Sequence, residues 1–158
     1  MDARLNVFVG SPTMATVVKH LAEVGKAIEA TGLPLSTQKL VQIRASQING
    51  CSFCVDMHTK DALAAGAAPQ RINLVAAWRE ATVFTDAERA ALEFVEQGTR
   101  FADTSRGVTD EAWAAAAEHY DNEQLIGLVT LIALINTYNR LNAIARRPAG
   151  DYQPVHTG

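Results

Sequence analysis

Residues 42–58 read QIRASQINGCSFCVDMH, and this stretch contains the end of one helix, a turn and the start of another. The pair Asn49-Gly50 is typical of a turn and predicts where the first helix ends. A new helix is expected to start at or just after Cys51 and to run to Ala65, with Gly66 placed just beyond its C-terminus. The stretch therefore predicts two helices joined by a tight turn.

Helical spacing of apolar residues continues on both sides of this stretch. Strand evidence is nearly absent, apart from a short alternating run at Leu5–Val9. Residues 149–158 have no periodicity and are expected to form a loose C-terminal tail. We predict one all-α domain over residues 1–148, a bundle of about six or seven helices. The other expected helix starts are Ser11-Pro12, a cap at Ser36, Pro69, a capping box at Thr85–Glu88, Thr109 and a cap at Asp121–Gln124.

The composition excludes several classes of protein. The chain has 158 residues, of which 48% are hydrophobic, and a formal net charge of −3. These values exclude disordered, collagen-like and disulfide-stapled proteins, and they do not suggest a nucleic-acid partner, which usually binds basic domains. The N-terminus lacks a signal-peptide pattern, and the longest apolar run, Leu125–Ile135, is too short to span a bilayer. A cytoplasmic protein without a membrane partner is expected.

The run Leu125–Ile135 is apolar on nearly every face of its helix. Such a helix must be covered on all sides, either by burial at the centre of the chain or by helices of another subunit. We expect a homo-oligomer for this reason. Asn136, Asn139 and Arg140 follow the run as a polar cluster, which indicates either a supporting hydrogen-bond network or the point where the helix emerges into water.

Cys51, Cys54 and His58 are the candidate functional residues, at positions i, i+3 and i+7 on one helix face. A thiolate is the nucleophilic form of cysteine, and both the helix dipole and a nearby imidazole favour it. After oxidation of one thiol, a second thiol three residues away can close a disulfide. In the cytosol, this spacing favours redox activity or metal binding over a structural staple.

Two other interpretations of the cysteines stay open. They could be small buried hydrophobic residues, or they could bind zinc together with His58 in the pattern C-x-x-C-x-x-x-H. Structural zinc normally takes four ligands, and no second cysteine pair is present. The other histidines, His20, His119 and His156, have no ligand spacing.

The stretch from Gln42 to His58 resembles the signature of the alkyl hydroperoxidase D (AhpD) branch of the carboxymuconolactone decarboxylase superfamily. The similarity extends over most of residues 4–145. It includes Arg4-Leu5-Asn6, Ser11-Pro12, Ala77–Glu80, Phe84–Leu92 and Ile135–Arg140.

This resemblance implies a helical trimer or ring-shaped hexamer that reduces hydroperoxides without an organic cofactor or a metal. In some such proteins the disulfide is reduced again by a dithiol carrier of the dihydrolipoamide type. By resemblance, Cys54 is the attacking thiol, Cys51 the resolving thiol and His58 part of a proton relay. The residues alone leave the order open, since exposure at the helix start favours Cys51 and contact with His58 favours Cys54.

Lys39 departs from the family pattern, in which a glutamate twelve residues before the first cysteine usually begins the relay. We place Lys39 near the third position of the helix capped by Ser36, where a cation opposes the helix dipole. An ammonium can lower a thiol pKa but cannot accept a proton while it is charged. Weak peroxidase turnover, or a base from elsewhere, is therefore expected.

Two rival functions remain at this point. One is a lyase acting on a lactone acid, as in the branch that gives the superfamily its name, although that chemistry needs no thiol pair. The other is a non-catalytic helical assembly or zinc-binding module. Near the site, Arg44 and Gln47 are expected to have structural hydrogen-bonding roles, and Asp56 is expected to be a solvated surface acid.

Overall fold

The structure, a computed structural model, describes residues 3–4, 10–103 and 107–154. Within these ranges it contains α-helices and one short 3-10 helix, Val75–Ala77, and no strand. This confirms the predicted all-α class and helix number. The run Leu5–Val9 lies outside the described residues. The helices are α1 Pro12–Ala30, α2 Leu35–Ile48, α3 Ser52–Ala64, α4 Pro69–Leu74, α5 Asp86–Thr99, α6 Asp110–Ala117 and α7 Asn122–Ala145.

Most helix starts lie where the local sequence predicts them. Ser11 caps α1, and Thr109 caps α6. Complete capping boxes open α5, with Thr85 and Glu88, and α7, with Asp121 and Gln124. In each box the two side chains satisfy backbone N–H groups that have no partner within the helix.

The start of α2 corrects one prediction. Ser36 is not the cap, because Pro34 holds the N-cap position with φ −55° and ψ 135°, and the helix already begins at Leu35. Proline fixes φ near this value, so the chain enters the helix without a side-chain cap. Lys39 is consequently in the second turn of α2 and not at its third position.

Helix α2 is the centre of the bundle and packs against α3, α5 and α7, while α1 covers α7 from the outside. The largest fully buried side chains of the core include Ile43 on α2, Leu92 on α5 and Leu128 on α7. Because α2 carries the turn that leads into α3, this central packing holds the start of α3 against α7.

Helix α7 is buried on the face that meets α1, α2 and α5, but Ile126 and Val129 remain 55% and 44% exposed. Val129 lines an apolar groove of about 640 Å³ together with Trp113 and Phe101, which are also exposed. Burial within one chain therefore covers only part of this helix, and the homo-oligomer stays a prediction. No helix among the described residues is both long and apolar enough to cross a bilayer.

The tail prediction is corrected for residues 149–154. This segment contains neither helix nor strand, but it is held against α3. Lys60 Nζ donates to the carbonyl oxygens of Gly150 at 2.8 Å and Tyr152 at 3.0 Å. The hydroxyl of Tyr152 donates to Asp61 Oδ1 at 2.8 Å. A lack of periodicity correctly excludes a helix, but it does not show whether side chains on a distant helix anchor the segment.

A buried ion pair joins α2 to α5, and it confirms the structural role expected of Arg44. Its guanidinium donates to both oxygens of Glu96, at 2.6 and 2.9 Å, and the Arg44 side chain also contacts Gln47. Burial raises the pKa of Glu96, but hydrogen bonds from Arg44 and Arg100 outweigh it and lower the pKa to about 2.

Replacing Glu96 by glutamine is expected to lower the free energy of unfolding by about 3 kcal/mol, because it leaves the buried Arg44 charge without its counterion. Urea denaturation at neutral pH measures this loss. The matched control is Glu93→Gln on the same helix, whose partner Arg79 is exposed, and the expected loss is below about 1 kcal/mol. Equal losses for the two variants would contradict the assignment.

Candidate active site

Cys51 lies in the turn between α2 and α3, where it both closes the C-terminus of α2 and caps the N-terminus of α3. Gly50 has φ +63°, a left-handed conformation that glycine adopts without strain. Its N–H donates to the Gln47 carbonyl, and the Cys51 N–H donates to the Ser46 carbonyl. This pair of bonds is the Schellman motif that ends α2. Cys51 is also the N-cap of α3, because its Sγ accepts a hydrogen bond from the Cys54 N–H at 3.3 Å.

Cys51 and Cys54 form a disulfide, with their Cα atoms 5.3 Å apart. Both are buried, with exposures of 2% and 0%. Phe53, Met57 and Tyr152 pack around them. The spacing that suggested a closable dithiol is thus realised at the first turn of α3.

Asn142 of α7 contacts the disulfide. Its Nδ2 donates to Cys54 Sγ at 3.5 Å and to the Tyr138 carbonyl at 2.9 Å. The side chain is 3% exposed, and its Oδ1 has no hydrogen-bond partner among the described residues. A buried oxygen without a partner is costly, so this atom is available to a ligand or a water molecule.

His58 lies one turn beyond Cys54 and is buried. Neither ring nitrogen has a hydrogen-bond partner within the described part of the chain. Burial, and then the positive charge of Lys39, lower its pKa to about 4, against a smaller opposing effect of Asp61. The imidazole is therefore neutral at pH 7 and can accept a proton.

A cavity of about 320 Å³ brings polar groups from three helices together. It is lined by Gln42 of α2, His58 of α3 and Asn142 of α7, and the Gln42 Oε1 is another buried atom without a partner in the described ranges. The remaining lining is mainly apolar: Phe53, Met57, Leu131, Leu134, Ile135 and Tyr138, with Arg147 at one side. The arrangement can hold a mostly apolar molecule with one polar end.

A smaller cavity of about 160 Å³ shares Asn142 and Arg147 with the first, and Cys51 contributes to its wall. The rest of its lining comes from Ser52 and from the end of α7 with the residues that follow it, namely Asn142, Ala143, Arg146, Arg147 and Pro148. Arg147 also lies over the Phe53 ring, 3.6 Å from its centroid. Cys51 and His58 therefore line different cavities.

The polar cluster on α7 is a buried network that ties α7 to the turn before Cys51. Asn49 Nδ2 donates to the side-chain oxygens of Asn136 at 3.0 Å and Asn139 at 2.8 Å, and Asn139 in turn donates to Ser46 Oγ. Asn139 is fully buried, which confirms the supporting network for this residue and excludes a helix emerging into water there. Arg140 is exposed and donates to Asn136.

Asp56 is not the solvated acid that its position suggested. It is partly buried, pairs with Lys60 at 2.9 Å and accepts a hydrogen bond from the Gly150 N–H at 3.0 Å. The hydrogen bond from Lys60 is the main reason that its pKa is lowered. Its role is to fasten the C-terminal segment.

Lys39 lines a cavity other than that of His58, together with Leu40, Ala62 and Arg71. The position three residues later, Gln42, is the one that lines the cavity of His58. Sequence reasoning missed both Gln42 and Asn142 as candidates. A signal existed for Asn142, since it continues the i, i+3 series of Asn136 and Asn139 along α7.

Zinc receives no support from the geometry. No group of three or more His, Cys, Asp or Glu side chains in the described ranges could hold a metal ion. The two sulfur atoms that the zinc pattern needs are bonded to each other.

The buried His58 predicts a loss of stability between about pH 6.5 and pH 4. The unfolded histidine takes up a proton near 6.5, whereas the folded one does so only near 4, so acidification in this window favours unfolding. The expected loss is about 3 kcal/mol, as measured by urea unfolding across the window. His58→Gln should lack this pH dependence, and an identical slope in both proteins would contradict it. The loss from Glu96 falls lower, between about pH 4.5 and 2.

Fold and site together define the class: an all-α protein with a C-x-x-C disulfide at a helix N-terminus beside a buried histidine. The chain belongs to the carboxymuconolactone decarboxylase family, whose sequence model matches residues 13–97, and within it to the AhpD-like branch.

Similar proteins agree with this placement. The uncharacterized protein YdfG of Bacillus subtilis is 40% identical over 133 residues, which are 84% of this chain and 89% of YdfG. A crystal structure of a protein of unknown function from Agrobacterium tumefaciens, for which a role as the antioxidant defence protein AhpD has been proposed, superposes with a TM-score of 0.85 at 34% identity, covering 98% of this chain and 100% of that one. The debrominase Bmp8 shares the fold alone, with a TM-score of 0.75 at 22% identity over 89% of this chain and 73% of its own.

Proposed function

We propose that this protein is a thiol-dependent hydroperoxide reductase that cycles Cys51 and Cys54 between dithiol and disulfide. The observation that carries the proposal is the closable cysteine pair at the α3 N-terminus, next to a neutral His58 and a cavity with unpartnered polar atoms. The overall reaction converts the hydroperoxide ROOH and two thiols into the alcohol ROH, water and a disulfide. A dithiol reductant, of the lipoyl type by family resemblance, then restores the thiols.

In the first step, Cys54 attacks the terminal oxygen of the hydroperoxide. The O–O bond breaks, an S–O bond forms, and the alcohol leaves with a proton. The resemblance to the AhpD branch assigns this role to Cys54, whose Sγ contacts Asn142, a residue that lines both the cavity of His58 and that of Cys51. The neutral imidazole of His58 can take the thiol proton and return it to the departing oxygen.

In the second step, the Cys51 thiolate attacks the sulfenic sulfur of Cys54 and releases water. Cys51 is the N-cap of α3, where backbone N–H groups and the helix dipole favour a thiolate. The result is the disulfide, so each turnover consumes two electrons from the reductant.

The cavity supports an organic hydroperoxide as substrate in preference to hydrogen peroxide. Six of its ten lining side chains are apolar or aromatic, and its volume of about 320 Å³ is far larger than hydrogen peroxide needs. The description of the Agrobacterium relative as an antioxidant defence protein agrees with such a role.

The test is a thiol titration of the reduced protein before and after one equivalent of cumene hydroperoxide. Loss of two thiols, formation of one equivalent of alcohol and recovery of the thiols with dihydrolipoamide are expected. No loss of thiols would overturn the proposal and would favour the lyase or the non-catalytic assembly.

Lys39 gives a further prediction. Replacing it by glutamate removes the charge that lowers the His58 pKa and adds one that raises it, so the imidazole becomes a stronger base. Hydroperoxide turnover is expected to rise about fivefold to tenfold in steady-state assays. The control Lys39→Gln removes only the positive charge and should give a smaller rise. Unchanged turnover in both variants would show that the charge at this position does not control the basicity of His58.

A further inference from the structure

The two sulfur atoms of the disulfide have different surroundings. Cys51 contributes to the wall of the smaller cavity, next to Ser52 and the end of α7. Cys54 is fully buried, and its Sγ accepts a hydrogen bond from Asn142 Nδ2. Cys51 is therefore the cysteine of the pair that a molecule in the smaller cavity contacts.

This difference matters for disulfide reduction. In thiol–disulfide exchange, the attacking thiolate bonds to one sulfur and the other leaves as a thiolate. Each sulfur of this pair accepts one N–H hydrogen bond, from the Cys54 backbone for Cys51 and from Asn142 for Cys54. The helix dipole additionally favours a thiolate on Cys51, so the choice of the attacked sulfur rests on access and not on the stability of the leaving thiolate. Because Cys51 lines the cavity, we expect the reductant to attack this cysteine. Asn142 is then in place to hold the Cys54 thiolate that is released.

Positive charge at the smaller cavity also favours attack of a thiolate on Cys51. Arg146 lines it and is exposed to solvent in a left-handed conformation that ends α7. The attacking species is a thiolate anion, and a positive entrance raises the local concentration of anions.

We propose that the dithiol reductant enters the cavity at Cys51, attacks Cys51 Sγ and releases Cys54 as a thiolate held by Asn142. The S–S bond breaks as a mixed disulfide forms on Cys51. The second thiol of the reductant then attacks its own sulfur in that mixed disulfide, which releases Cys51 as a thiolate and closes the reductant's disulfide. Two electrons pass from the dithiol to the protein. The proposal rests on the redox cycle of the proposed function, but this step involves no peroxide.

The site of attack can be trapped directly. Oxidised protein is mixed with 2-mercaptoethanol, quenched in acid and alkylated with N-ethylmaleimide. Chymotryptic cleavage after Phe53 then separates the two cysteines for mass spectrometry. Mercaptoethanol on Cys51 and maleimide on Cys54 are expected in at least about a tenfold excess over the reverse pattern. Equal or reversed patterns, or a folded protein that does not react, would overturn the proposal. Because peroxide is absent, this outcome is independent of the thiol titration.

The role of Asn142 is tested through the Cys54 thiol. In a Cys51→Ser background, Asn142→Ala is expected to raise the Cys54 pKa by about one unit, measured by the pH dependence of alkylation. In the otherwise unchanged chain, the same substitution should slow reduction by dithiothreitol about tenfold. Asn142→Asp, which keeps the side-chain size, should also raise the Cys54 pKa and slow the reduction. The control Asn122→Asp adds the same charge at the exposed start of α7 and should change neither value. An unchanged Cys54 pKa in both Asn142 variants would refute the role.

Discussion

Replacing Cys54 by serine is expected to lower kcat/KM for cumene hydroperoxide by more than about a thousandfold. A serine hydroxyl in the same place is not ionised near neutral pH and cannot attack the O–O bond as a thiolate does. The position is fully buried, and Asn142 donates a hydrogen bond to its sulfur. Steady-state assays with a dithiol reductant measure the loss.

The informative control for this variant is Cys51→Ser. It removes the resolving thiol but leaves the attacking one, so one equivalent of hydroperoxide should still convert Cys54 to a sulfenic acid, which dimedone labels. Cys54→Ser should give no labelled protein. If Cys54→Ser instead forms a sulfenic acid on Cys51 as rapidly as the reverse variant does on Cys54, the assigned order of the two cysteines is wrong.

Replacing His58 by glutamine is expected to lower kcat/KM about a hundredfold, within the range that one positioned general base contributes. The imidazole is neutral down to about pH 4, so it can accept the thiol proton over the whole physiological range. Glutamine has nearly the same size and can form hydrogen bonds, but it cannot carry the proton. The acid side of the wild-type rate profile should therefore follow the Cys54 thiol and not His58.

His119→Gln is the matched control, since this histidine is exposed and lies just after α6, outside the candidate site. It should leave both the rate and its pH profile unchanged. A His58→Gln protein that reduces cumene hydroperoxide at the wild-type rate would remove His58 from the relay.

Much of the fold follows from short stretches of sequence. Thr85 with Glu88, Asp121 with Gln124, and Gly66 are correctly predicted as helix boundaries. The error at Ser36 has the same local origin, because a proline at the cap position replaces the side-chain hydrogen bond that a serine would offer. These features depend on residues within about one helical turn of each other, which is why the order of residues reveals them.

The composition of the candidate site follows from the sequence only in part. Cys51, Cys54 and His58 are separated by one and two turns of a single helix, so their common face can be read directly from their spacing. The spacing does not reveal that these residues are buried. It does not reveal the neutral state of His58 either, because that state requires the surrounding helices to exclude water. Lys39 shows the converse, since its place in the motif suggested the relay whereas its side chain lines another cavity.

The order of residues is therefore sufficient for the helical class, for the turn that makes Cys51 both the end of one helix and the cap of the next, and for a thiol pair that can close. The packing of α2 and α7 against α3 settles what surrounds that pair: Asn142 reaches Cys54 from 88 positions away, and Gln42 shares the cavity of His58. The physical reason is range. Caps and turns are hydrogen bonds between near neighbours, whereas desolvation and cavities arise only when distant helices pack and exclude water.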